Sequence, residues 1–271
     1  MPDFAYKLGV VGAGKMGGAL IRALVARNQL QPGKIAAVDS FPRALEQLRA
    51  DCPDVVATDD LSLVAASSEI LLIALKPQVF DSALQPVKGP RPAGQTLVSI
   101  MAGVSIARIV DYFGPATPVI RSMPNVCCEV AQGAFGYSAS EHVSPEHRAL
   151  VGCWFNAIGA AEELPESLLD AVTGLSGSGP AFVAVFIEAL ADGGVAAGLP
   201  RHVAQRLAAQ TVLGASSWVM EQGGPAQLKD MVCSPAGTTI TGLRALEARG
   251  LRSATIEAVV AAAERSRQLG G

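Results

Sequence analysis

The chain has 271 residues, enough for a sizeable core and two domains; half of them are hydrophobic and 17% charged, which excludes a disordered chain. Against 24 acidic residues stand 21 basic ones, a net charge of −3 without any basic run, so no nucleic-acid or anionic-membrane partner is expected. Five cysteines without C-x-x-C spacing read as reduced thiols, and three histidines outside any metal-ligand pattern leave no metal site. Met1–Gly9 carries no signal-peptide core, and the longest apolar stretch, Ala181–Ile187, is cut by Glu188 well short of a bilayer span. The expectation is a soluble, cytoplasmic protein.

Lys7–Val11 is a short apolar run, then comes Gly12-Ala13-Gly14-Lys15-Met16-Gly17, then a helical pattern from Ala19 to Ala26. That is G-x-G-x-x-G between a strand and a helix, the setting in which it binds a dinucleotide. Gly12 permits the tight turn, Gly14 lets the backbone approach a pyrophosphate, and Gly17 lets helix and strand pack closely. Ile35–Val38 reads as the second strand and runs into Asp39-Ser40-Phe41-Pro42-Arg43. An acid here hydrogen-bonds a ribose 2′-hydroxyl and favours NAD(H), whereas Ser40 and Arg43 are suited to a 2′-phosphate and NADP(H). The two cues conflict.

Strand and helix continue to alternate. Ala44–Arg49 looks helical, Val55–Ala57 extended, Leu61–Ala66 helical, and Ile70–Leu75 has the unbroken apolar run of a buried parallel strand. It ends at Lys76-Pro77, on the strand edge where ligands bind in open α/β sheets. Thr96–Ile100 ends likewise in Met101-Ala102-Gly103 before a helix at Ile106–Tyr112, and Pro118–Ser122 runs into Met123-Pro124-Asn125. Ala134–Ser138 completes the expected sheet, Pro145–Ile158 is a helix, and the first domain spans residues 1–164.

From residue 165 to 271 the β-branched runs thin out and the reading is all α. Ser176-Gly177-Ser178-Gly179-Pro180 reads as a capped turn before a helix at Ala181–Ala191. Helices are expected at Arg201–Met220, Gln227–Val232, Thr239–Ala248 and Ser253–Gln268. Several are apolar on more than one face, which points to an intertwined dimer. The segment Ser234-Pro235-Ala236-Gly237-Thr238-Thr239 feeds a helix N-terminus, where hydroxyls and free N–H groups favour a carboxylate or phosphate.

A dinucleotide domain with no zinc site and no evident catalytic histidine favours hydride transfer to a C=N bond, since a protonated iminium is already electrophilic. The residues alone stop at a dinucleotide-dependent oxidoreductase. A β-hydroxyacid dehydrogenase, whose lysine base falls to Lys229, and a catalytically silent nucleotide sensor are the alternatives.

Gly12–Gly17, Leu75-Lys76-Pro77, Met123-Pro124-Asn125, the run from Asp170 through Phe182 and L-K-D-M-V-C-S-P-A-G-T-T-I from Leu228 together resemble the pyrroline-5-carboxylate reductase family. The resemblance extends in order over nearly the whole chain. It implies a Rossmann-type dinucleotide-binding domain followed by a helical dimerisation domain, and NADPH- or NADH-dependent reduction of 1-pyrroline-5-carboxylate to L-proline. It implies that Gly12 to Gly17 hold the pyrophosphate, that Ala74 to Pro77 and Met101 to Gly103 line the nicotinamide side, and that Asn125 joins the cofactor contacts. It also implies that Ser234, Gly237 and Thr238 take the substrate carboxylate, that Thr239 reaches the imine nitrogen, and that Glu166 lies near the substrate. A homodimer, assembled further into a decamer, is implied too. The chain departs from the family pattern at Asp39, at Asp59-Asp60 where an asparagine is common, at Gly224, and at Ala236, which replaces a glycine in what is expected to be a relaxed turn.

Overall fold

A computed structural model describes residues 4–270; the first three residues of the Met1–Gly9 stretch and the last residue of the chain lie outside it. Eight strands, β1 Tyr6–Val11, β2 Ile35–Val38, β3 Val56–Thr58, β4 Ser68–Ile73, β5 Thr96–Ser99, β6 Val119–Met123, β7 Gly133–Ala139 and β8 Gly159–Glu163, form one sheet. Their order is β3-β2-β1-β4-β5-β6-β7-β8. The first six run parallel, β7 is antiparallel to β6, and β8 is parallel to β7. This is the doubly wound order, with the chain reversing direction across the sheet between β1 and β4.

Strand side chains alternate between two cores. On one face Leu8, Val10, Ile35, Ile70 and Leu72 meet α1 (Lys15–Ala26), α2 (Pro42–Asp51) and α6 (Pro145–Ala157) through Leu20, Leu48 and Phe155. On the other, Val11, Val38, Leu71, Ile73 and Leu97 meet α3 (Leu61–Ser67), α4 (Phe80–Leu84) and α5 (Ile106–Phe113) through Val64, Phe80 and Phe113. Burial on both faces explains why these strands are unbroken apolar runs.

The chain divides into two compact units. One comprises the residues up to Ser178 together with Ala261 onward; the other is Gly179–Val260. The division thus falls later than the expected 164/165 boundary. Residues 166–178 stay with the sheet because α7 (Leu169–Val172) seats Val172 where a side chain at Gly136 of β7 would lie. The end of α12 (Leu251–Gly270) joins them: the Ser266 hydroxyl donates to Asp170 Oδ1 at 2.6 Å.

Four features of the structure correct the sequence reading. The sheet does not end at β7: Gly159–Glu163 adds β8, and α4 follows Pro77. Strand β4 ends at Ile73; Ala74 N–H still bonds to β1, and Leu75 and Lys76 lie beyond the strand. Ser176–Pro180 is no interruption, because a π turn at Thr173–Gly177 carries the helix on into α8, Gly179–Ala196. The whole run Glu166–Ala196 is 31 residues with a mean hydropathy of 1.4 over its most apolar window, long and apolar enough by composition to cross a membrane, unlike the seven-residue stretch read from sequence. The remaining helices are α9 Arg201–Gln222, α10 Pro225–Met231 and α11 Thr238–Ala248. Within the second unit α8 and α9 pack through the small side chains Ala191, Ala204 and Ala208. Val183, Val185, Phe186 and Leu190 of α8 stay exposed.

Candidate active site

The glycine-rich turn is pinned at the carboxyl edge of the central strands. Gly12 N–H donates to Val38 O of β2 at 2.8 Å, and Ala74 N–H donates to Val11 O of β1 at 2.8 Å. Gly12 has φ +101°, and a Cβ there would meet Ala74 O at 2.6 Å; a Cβ on Gly17 would meet Gly12 O at 1.9 Å. Around Gly14 nothing lies within 4 Å of that position. Helix α1 begins there with no side-chain cap and no acid in its first turn, so its N–H groups and dipole are left for an anion.

These residues border a cavity of about 850 Å³. Of the expected cofactor residues, Gly12, Gly14, Lys15, Met16, Asp39, Ser40, Ala74, Leu75 and Lys76 line it. Ala13, Gly17, Arg43, Pro77, Met101, Ala102, Gly103 and Asn125 are not among the lining. Ala13 contributes through its N–H, which donates to Asp39 Oδ2 at 2.8 Å. Arg43 is exposed on α2, and Met101 is fully buried in the core below, leaving Ile100 to reach the cavity. Sequence reasoning missed Phe41, Val79, Ser82 and Ala83 as wall residues. Nothing in a five-residue helix such as α4 signals that it borders a ligand.

Two expected site residues hold the scaffold. The Asn125 side chain donates to Ser176 O at 3.0 Å and accepts from Ala134 N–H at 3.1 Å. Glu166 Oε1 accepts from Ile106 N–H at 2.7 Å and from the buried Arg121 guanidinium at 2.9 Å, tying the start of α5 to β6. Outside the cavity, Cys128 and Glu69 are among the titrating groups shifted from their ordinary values. Burial, helped by the neighbouring Glu129 and Cys127, pushes the Cys128 thiol up to about 11. Glu69 is held below its ordinary value by Lys7 and His147.

In the second unit, α11 starts at Gly237 without a side-chain cap. A Cβ on Gly237 would lie 2.2 Å from Ser234 Oγ, so a side chain there would displace the serine hydroxyl. Ala236 has φ +56°, in the left-handed region, which corrects the expectation of a relaxed turn at this departure from the family pattern. Thr239 borders a second cavity of about 540 Å³ walled by Val219, Met220, Leu228, Val232 and Leu243. Ser234, Gly237 and Thr238 are outside that lining.

A mostly parallel sheet with an uncapped glycine turn after β1, an acid after β2 and a cavity along the strand ends defines a dinucleotide-dependent oxidoreductase. A family model described as pyrroline-5-carboxylate reductase dimerisation matches residues 166–269, and one described as NADP oxidoreductase coenzyme F420-dependent matches residues 7–103. The pyrroline-5-carboxylate reductase of Methanosarcina acetivorans is 44% identical, covering 97% of this chain and 98% of that one. That of Synechocystis is 46% identical over 98% and 99%. A crystal structure of Plasmodium falciparum pyrroline carboxylate reductase with NADP bound superposes with a TM-score of 0.88 at 30% identity, covering 100% of both chains. The chain belongs to the pyrroline-5-carboxylate reductase family, NAD(P)H-dependent oxidoreductases of proline biosynthesis.

Proposed function

We propose that this protein reduces 1-pyrroline-5-carboxylate to L-proline in the cytoplasm, with NADPH or NADH as reductant. The observation that carries the reading is the uncapped, threonine-bearing start of α11, set in a chain that also holds an open glycine cradle. When bound, the reduced nicotinamide supplies a hydride to the imine carbon. The first turn of α1 and the Gly12–Gly17 backbone hold the pyrophosphate, with Lys15 adding positive charge. Ala74 to Pro77 and Met101 to Gly103 shape the nicotinamide side, Met101 by packing beneath it.

Ser234 and the N–H groups of the Gly237-Thr238-Thr239 turn orient the imino acid through its carboxylate, which the α11 dipole favours. The Thr239 hydroxyl donates to the imine nitrogen, favouring the electrophilic iminium form. Glu166 acts from beside the substrate by keeping the start of α5 and Arg121 in place. The helical half forms a homodimer, with the exposed apolar side chains of α8 buried between copies, and dimers assemble further into a decamer. Thr239→Val keeps the shape and removes the hydroxyl. It is expected to lower kcat about a hundredfold, within the range for a lost proton donor, while KM for the imine moves far less. An unchanged kcat would exclude Thr239 as the donor.

A further inference from the structure

We infer that Asp39 makes this chain select NADH over NADPH, an inference that rests on the dinucleotide reading of the cleft. The Asp39 carboxylate is fixed from both sides: Oδ2 accepts from Ala13 N–H at 2.8 Å and Oδ1 from Phe41 N–H at 2.9 Å. Each oxygen keeps lone pairs beyond those bonds, and Asp39 faces the cavity. A ribose 2′-hydroxyl is a donor and satisfies one of them. A 2′-phosphate offers mostly acceptors and brings like charge against the carboxylate.

A second acid strengthens the discrimination. Val38 and Thr58 are register partners on β2 and β3, so the residues just beyond them, Asp39 and Asp59, leave adjacent strand ends; both line the cavity. The lining cations are elsewhere. Lys76 follows β4, which β1 separates from β2, and Lys15 opens α1 at the pyrophosphate cradle. Of the two residues suited to a 2′-phosphate, Ser40 lines the cavity but carries no charge to offset Asp39, and Arg43 is exposed and outside the lining. Locked by two backbone N–H groups, Asp39 has no cheap route out of the way of a phosphate.

The test is calorimetric titration of the full-length protein with NADH and with NADPH, for the wild type, Asp39→Asn and Asp39→Ser, with kcat/KM for each cofactor measured in parallel. The wild type is expected to bind NADH at least about tenfold more tightly, and Asp39→Ser to erase about that factor, or about 1.4 kcal/mol of preference. Asn, which keeps an acceptor without the charge, should fall between. A purely structural role for Asp39 would weaken both cofactors alike, and that result, or tighter NADPH binding by the wild type, would overturn the inference. Binding of neither dinucleotide would overturn the dinucleotide reading and the inference with it.

Discussion

Asn125 donates its side-chain amide to the carbonyl of Ser176 at 3.0 Å. In a regular α-helix that carbonyl would be met by the N–H of residue 180, which is Pro180 and has none. One side chain from the loop after β6 thereby supports the π turn that carries the helix past its proline. Asn125→Asp keeps the acceptor for Ala134 N–H but turns an oxygen toward the Ser176 carbonyl. It should destabilise the protein by about 1–3 kcal/mol, measured as a lowered unfolding midpoint. An unchanged midpoint would show that water serves Ser176 equally well.

The three glycines of the first turn are required for different reasons, and alanine substitutions separate them. At Gly17 the added methyl would press on the Gly12 carbonyl, a backbone atom 1.9 Å away. Gly17→Ala is expected to cost about 1–3 kcal/mol of stability through overpacking. Gly14→Ala meets nothing within 4 Å, so stability should hold within about 0.5 kcal/mol. Dinucleotide affinity should nevertheless fall at least about tenfold, because the methyl takes the space a phosphate would approach. Paired melting curves and titrations check both halves.

Ala236→Gly should stabilise the protein. A left-handed L-residue costs about 1–2 kcal/mol, and glycine removes that cost at φ +56° while giving back part of the gain through its freer unfolded state. The net expectation is about 1 kcal/mol, read from the unfolding midpoint. Loss of stability would mean that the methyl of Ala236 makes a compensating contact.

Acid should weaken the fold partly through Glu69. Burial pushes this carboxyl up, but hydrogen bonds and charge from Lys7 and His147 outweigh it and hold the group below 4.5. Lys7 Nζ lies 2.6 Å away and His147 Nε2 3.0 Å. A depressed folded pKa means that its stabilisation is present above 4.5 and lost as pH falls through the folded value. Glu69→Gln should therefore flatten the decline of stability as the pH falls below 4.5. An equally steep decline in the variant would assign acid sensitivity elsewhere.

Much of this architecture is legible in the residues themselves. The runs at β1, β2, β4 and β5 are apolar because helices cover both faces, and Gly12, Gly14 and Gly17 are spaced for one turn geometry. Strand β8 was hidden because Gly-Ala-Ala-Glu-Glu has little β character of its own. It is extended because it pairs with β7, where a Cβ on Gly159 would lie 2.0 Å from Gly133 O. The π turn was hidden because Ser-Gly-Ser-Gly-Pro is loop chemistry locally, whereas one of the contacts that support it comes from Asn125, some fifty residues earlier in the chain. Glu166 and Asn125 show the same limit at the site. Their types suit ligand contacts, but sequence does not reveal that their polar atoms already meet backbone and Arg121.

The most direct test of the central claim is imine-dependent oxidation of reduced dinucleotide by the purified full-length protein, with L-proline measured as product. NADH or NADPH should be consumed only when 1-pyrroline-5-carboxylate is present, one L-proline appearing for each dinucleotide oxidised. No oxidation of either dinucleotide at saturating imine, or oxidation without proline formation, would contradict it.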